Sequence, residues 1–181
     1  MSSAERPEDD VFLPGGRIRP GSLAPAAAEA LDSAIRLARE TRWDCVRSPH
    51  IFMGLLANPD PVVCVWGHRL GADLSKLLGQ FQELFHQDNG ESEPVLALHR
   101  EFLSDNAIRL LREAQVRALD HQRTYITPMD LLITLLTASN SIVADCFERI
   151  GVTAAKLTEQ AVIAEHTARD NDRGERTKKP N

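Results

Sequence analysis

Imidazole and thiolate groups are the first candidates for chemistry, because they act as bases, nucleophiles and metal ligands near neutral pH. The six histidines (His50, His68, His86, His99, His121 and His166) are dispersed. None belongs to a His-Glu-x2-His pair that would put two ligands on one helix face. Cys45, Cys64 and Cys146 are odd in number and lack metal or redox spacing. They are expected to be small buried apolar side chains. The chain holds no Gly-x-Ser-x-Gly elbow, no cysteine next to a histidine and no Gly-x4-Gly-Lys-Ser/Thr phosphate loop. His99-Arg100-Glu101 reads as a solvated charge cluster, and His50, on an apolar stretch, as a hydrogen-bonded structural residue. The expectation is a protein without catalytic residues, metal or cofactor.

What the chain does contain is one helical plan used twice. Sliding the sequence by 80 residues (107 minus 27) sets Leu23 on Leu103, Ala27 on Ala107, Leu31 on Leu111, Ala34 on Ala114 and Ala38 on Ala118. The same shift sets Leu55-Leu56 on Leu135-Leu136, Gly71 on Gly151 and Lys76-Leu77 on Lys156-Leu157. Self-similarity at a fixed period marks a repeat.

Each copy reads as four helices. Ala27, Leu31, Ala34, Ile35 and Ala38 recur at three- and four-residue steps, so the first helix has a narrow apolar stripe. Ser48-Pro49 is expected to cap and open the second, nearly all-apolar helix. Asn58 to Pro61 interrupts it, Gly71 ends the third, and Asp73 caps the fourth. In the second copy, Thr127-Pro128-Met129-Asp130 has the order of a capping box, and Thr153 is expected to cap the last helix. The fold class that follows is all-α, a tandem pseudo-repeat of two four-helix units.

The expected organisation is an irregular arm over 1–22, a first repeat over 23–86, a linker over 87–102, a second repeat over 103–168 and a disordered charged tail over 169–181. Within the arm, Val11-Phe12-Leu13 is the apolar cluster and is expected to pack on the domain. A net charge of −5 argues against a nucleic-acid partner, and the short basic end from Arg173 is read as solubilising. The absence of an apolar run of roughly 18 residues argues against a membrane span. The acidic start is unlike a signal peptide, so a cytoplasmic location is expected. Two halves able to cover each other's apolar faces lead to an expected monomer.

Taken together, the doubled Ala-x6-Ala-x3-Ala helix, the Leu-Leu-x-Leu-Leu-type second helix and the closing Leu-Gly or Ile-Gly resemble the N-terminal repeat domain of Clp ATPases. Ala27, Ala34, Ala38, Val46, Ser48, His50, Leu55, Leu56, Leu70 and Gly71 carry the match in the first copy. Ala107, Ala114, Ala118, Tyr125, Ile126, Leu131, Leu132, Leu135, Leu136 and Gly151 carry it in the second. The resemblance implies a stand-alone, non-enzymatic module that binds a Clp ATPase, an adaptor or client segments and modulates degradation. The alternative it implies is capture of a peptide-like or macrocyclic small molecule. By the same resemblance, ligands use the surface where the first and fifth helices begin, at Leu31, Ile35, Leu103, Ser104, Ile108 and Arg112. The family's phosphoarginine pockets pair a threonine with a glutamate. Here the threonines correspond to Ala24 and Ser104 and the glutamates to Pro49 and Met129, which cannot pair with a guanidinium.

Overall fold

The computed structural model describes residues 10–88 and 96–177, with side chains described through residue 174. It contains α1 (Pro25–Glu40), α2 (Ser48–Ala57), α3 (Pro61–Arg69), α4 (Leu74–Leu84), a 3-10 turn at Arg100–Phe102, α5 (Asp105–Asp120), α6 (Pro128–Thr137), α7 (Ile142–Arg149) and α8 (Ala154–Thr177). Among the described residues there is no named strand, only isolated backbone bridges. The fold class is all-α, and the bounds of α1 and α2 recur in α5 and α6 after a shift of 80 residues.

Local chemistry sets these ends. Asp60, Asp73, Ser104, Thr127 and Ser141 each accept a hydrogen bond from a first-turn amide of the helix they precede. Gly71 and Gly151, with φ of 68° and 88°, close α3 and α7 in the left-handed region. The same left-handed stop ends α1 and α5, but on Arg42 (φ 64°) and Gln122 (φ 61°), where no glycine announces it. There the amides of Trp43 and Arg123 close back on the carbonyls of Ala38 and Ala118. α8 continues to Thr177, past the point where sequence leads one to expect an irregular tail. Within that extension Arg169 pairs with Glu165 one turn earlier, at 3.5 Å.

α2 and α6 form the centre. Every residue of α2 from Pro49 to Leu56 and of α6 from Pro128 to Leu136 is buried. The alanine stripe of α1 lets α2 approach until Gly54 lies directly on the backbone at Ala30, where a Cβ would land on the carbonyl oxygen. Around this pair, Phe52 on α2 meets Phe81 of α4 at 5.0 Å and Phe147 of α7 at 5.9 Å between ring centroids. Trp66 on α3 donates its indole N–H to the Leu157 carbonyl of α8 at 3.1 Å. These contacts join the two repeats into one core.

Backbone pairing joins them as well. The Ala24 amide donates to the Ile126 carbonyl at 2.9 Å and the Ile126 amide to the Ser22 carbonyl at 2.8 Å. Eighty residues on, the Ser104 amide donates to Val46 at 2.9 Å and the Val46 amide to Phe102 at 2.7 Å. The entry to each repeat's first helix is therefore tied to the entry of the other repeat's second helix. The short parallel bridges Leu23–Ile126 and Val46–Leu103 record the exchange.

The cysteine expectation is corrected: Cys64 is exposed, while Cys45 and Cys146 are half-buried. Cys64 sits on the outer side of α3, whose inner side is taken by Val63, Trp66 and Gly67. Among the described residues, no single helix is long and apolar enough to cross a membrane.

Two glycines give contrasting expectations. Gly54→Ala places a methyl into backbone and should destabilise the protein by about 1–3 kcal/mol or more in denaturant unfolding. Gly79→Ala, inside α4 with open space around it, should instead stabilise by roughly 0.5–1 kcal/mol through helix propensity.

Candidate functional site

Two clefts flank the outer face of α5. One, of about 420 Å³, lies between the 3-10 turn and α5 and is lined by Arg100, Ile108, Arg109, Arg112 and Val116. The other, of about 570 Å³, opens where α2 and α5 begin, among Arg47, Ser48, Ser104, Asn106, Arg109 and Ile142. Arg109 borders both. Val116 and Leu119 continue the α5 face at 57% and 55% exposure, well beyond what a core position shows. The surface on offer is a helix with apolar side chains set among arginines and the carboxylates of Asp105 and Glu113.

The positions named from sequence separate by depth. Leu31 and Leu103 are buried in the core, and Leu103 is held there by its bridge to Val46. Ile35 and Ile108 are half-buried against the same core. The Ser104 hydroxyl serves as the α5 cap, accepting from the Ala107 amide at 3.1 Å. Arg112 is exposed, and its guanidinium forms a two-bond pair with Asp10 of the N-terminal arm. Arg109, Arg100 and Val116 complete the cleft and were not read from sequence. A helical wheel of α5 puts them on the polar side, and nothing local says which part of that side another segment approaches.

The starts of α2 and α6 are built on two different solutions to one problem, a buried polar group at the third helical position. In α2 that residue is His50. Its Nδ1 accepts from the Arg47 amide at 3.0 Å, so its Nε2 carries the hydrogen and reaches the Thr41 hydroxyl at 3.1 Å. Thr41 passes its own hydrogen to the Leu37 carbonyl at 2.7 Å. The expected Ser48 cap is corrected here: Ser48 lies inside the first turn, and the cap position belongs to Arg47 with the His50 ring as acceptor. Burial, together with the positive charge of Arg47, lowers the His50 pKa to about 4. The ring is neutral at physiological pH.

In α6 the equivalent residue is Asp130, with a fully buried side chain. It accepts from the Thr127 amide at 2.8 Å, closing the capping box, and pairs with Arg117 and Arg123. Arg117 in turn bridges to Glu165 on α8 at 2.9 Å. Burial alone would raise the Asp130 carboxyl, but the hydrogen bonds from Arg123 and Thr127 and the arginine charges hold it below the usual carboxylate range. Both carboxylate oxygens are engaged by the chain's own groups. Pro49 and Met129, the neighbouring positions, are buried.

No group of three or more His, Cys, Asp or Glu side chains with metal-binding geometry is found among the described residues.

Residues 102–180 match the Clp repeat (R) N-terminal domain family. The N-terminal domain of Hsp104 from Candida albicans superposes with a TM-score of 0.64 at 15% identity, covering 78% of this chain and 89% of that one. The N-terminal domain of the chaperone ClpD from Arabidopsis thaliana gives a TM-score of 0.59 at 18% identity, covering 78% of this chain and 93% of its own. The fold is that of a Clp N-terminal domain. The N-domain of ClpV from Vibrio cholerae is similar at a TM-score of 0.56 and 19% identity, over 82% of this chain and 90% of its own. No curated protein sequence matches the chain.

In Clp N-domain terms, the family match covers the second repeat, and the first shows itself through the 80-residue shift and the shared helix bounds. The two repeats keep one backbone while differing in the polar side chains under α2 and α6.

A pH experiment checks the His50 assignment. The unfolded histidine takes up a proton near pH 6.5 and the folded one only near pH 4. Stability contributed by the neutral ring is thus complete above pH 6.5 and lost as pH falls toward 4, about 3 kcal/mol in all. His50→Asn keeps an acceptor for the Arg47 amide and should flatten unfolding free energy against pH across that window. Further loss below pH 4 should remain, because protonating Asp130 and Glu165, both held low, uncouples their arginines.

Proposed function

We propose that this chain is a non-enzymatic partner-binding module of a Clp-type chaperone-protease system. It engages a Clp ATPase, an adaptor or a client segment along the outer face of α5 and thereby modulates degradation. The observation that carries the reading is the joint presence of the Clp N-domain fold and the paired clefts beside α5, sharing Arg109 and lined by Ile108, Arg112 and Val116. A groove with apolar side chains at helical spacing, rimmed by arginines and by the carboxylates of Asp105 and Glu113, suits an extended or helical protein segment that presents apolar residues and charges of both signs.

Recognition at this face runs through side-chain contact. Recognition of a guanidinium by the family's carboxylate is not part of this reading. Pro49 and Met129 supply no carboxylate, and Asp130 is committed to Arg117 and Arg123.

The test is affinity capture from native lysate with the full chain, beside Arg109→Glu/Val116→Glu. Both residues are exposed, so the variant should retain its helical spectrum and melting transition. Wild type should recover a Clp ATPase or adaptor, and the variant should lose it by ten-fold or more. Equal recovery by both would move the binding face elsewhere. Recovery of no Clp component would remove the chain from that system and leave a peptide-like ligand as the alternative.

A further inference from the structure

The arm that precedes α1 lies on the face described above. Val11 and Phe12 are 0% and 2% exposed and belong to the core cluster. The Arg112 guanidinium sits over the Phe12 ring at 5.7 Å from its centroid. It also holds the Asp10 carboxylate through Nη2 at 3.0 Å and Nε at 3.3 Å. The arm then doubles back: Phe12 bridges Ile18, the Leu13 amide donates to Arg17, and the Arg19 amide donates to Val11. Its turn rests on the segment before α5, with Gly16 against the His99 ring and its carbonyl accepting from the Arg100 amide at 2.8 Å.

Three features make this arm a ligand-like occupant rather than one more layer of core. It is not part of any helix, and it has no counterpart in the repeat plan. Its ionic attachment is at the surface, with the Arg112 and Asp10 side chains 49% and 27% exposed, where an ion pair exchanges readily for another. Its anchor also belongs to the candidate site, because Arg112 lines the 420 Å³ cleft together with Arg109 and Val116. A segment arriving through that cleft meets the same guanidinium that now holds Asp10.

We propose that Asp10–Leu13 is a resident ligand of the α5 groove, displaced by partner segments of the same chemistry. That chemistry is an extended run with a carboxylate two residues before an aromatic ring and an aliphatic residue between them, as in Asp10-Val11-Phe12. Arg112 reads the carboxylate and covers the ring, and the apolar floor takes the aliphatic side chain. This rests on the reading of α5 as the partner face, and it makes the module self-covered until a competing segment arrives.

The test uses full-length protein and a fluorescein-labelled synthetic peptide of residues 8–19 of this chain. Asp10→Lys/Phe12→Ser should free the groove and bind the peptide at least ten-fold more tightly than wild type. A peptide with serine at position 12 should not bind. Equal peptide affinity for both proteins, with the double variant still folded, would overturn the proposal.

Asp10→Lys alone removes the ion pair with Arg112 and the acceptor of the Phe12 amide, leaving Phe12 itself in place, and provides the second arm through hydrogen exchange. The amides of Leu13, Gly16 and Arg19 should exchange at least ten-fold faster than in wild type, with α2 and α6 unchanged. Adding Arg112→Glu should restore their protection. Arm amides as slow in Asp10→Lys as in wild type would show the arm to be integral core and would overturn the proposal equally. Neither measurement contains a Clp component. A chain that releases its arm but captures no Clp partner would keep this groove and lose the Clp assignment, and the reverse result would do the opposite.

Discussion

Everything in the molecule depends on the crossed pairing of helix entries. Leu23 pairs with Ile126 and Val46 with Leu103, so neither repeat completes its own backbone hydrogen bonding. Buried amides and carbonyls must find partners, and an isolated repeat would leave those at Val46 and Ile126 without theirs. The pairing also brings the start of α5 beside the start of α2. That placement is what opens a cleft between Arg47 and Arg109 and presents the outer face of α5. The proposed binding face is a consequence of the exchange between repeats, not a property of either one.

The two repeats then show how far side chains diverge on a shared backbone. His50 and Asp130 stand at equivalent positions under equivalent helices. One is neutral and served by Thr41 and an amide; the other is charged and served by two arginines and Glu165 beyond them. Both satisfy the same requirement, that a buried polar group have partners. The ionic version ties α5, α6 and α8 together, and α8 is the longer fourth helix of the pair. The neutral version leaves Arg47 outside, over the Trp43 ring at 4.7 Å and at the mouth of the cleft. The difference in buried chemistry thus reaches the surface: Arg47 of the first repeat stands at the cleft mouth, whereas Arg117 and Arg123 of the second are held by Asp130.

The arm adds an asymmetry that the repeats do not contain. With Val11 and Phe12 under Arg112, the proposed binding face of α5 is partly covered by the chain itself. The arm is held at Arg112, midway between Arg109 and Val116 along the α5 face.

Local information was sufficient for much of this. The 80-residue repeat, the apolar α2 and α6, the caps at Asp73 and Thr153 and the glycine stops at Gly71 and Gly151 were all legible, because each is decided by residues within a turn or two. The Ser48 cap was misplaced by one residue, since a histidine ring is not an acceptor that capping rules look for. The stops at Arg42 and Gln122 left no glycine to read. Of the positions named through resemblance, Leu103, Ser104, Ile108 and Arg112 line the candidate clefts and Leu31 and Ile35 do not, while Arg109, Val116 and the Asp10–Arg112 pair, whose members stand 102 positions apart, were not legible. Which helix starts meet, which arginines neutralise Asp130 and where the arm lies are contacts across many tens of residues. Helical period reports only which side of a helix is apolar; which segment covers it is settled when the two repeats close on each other.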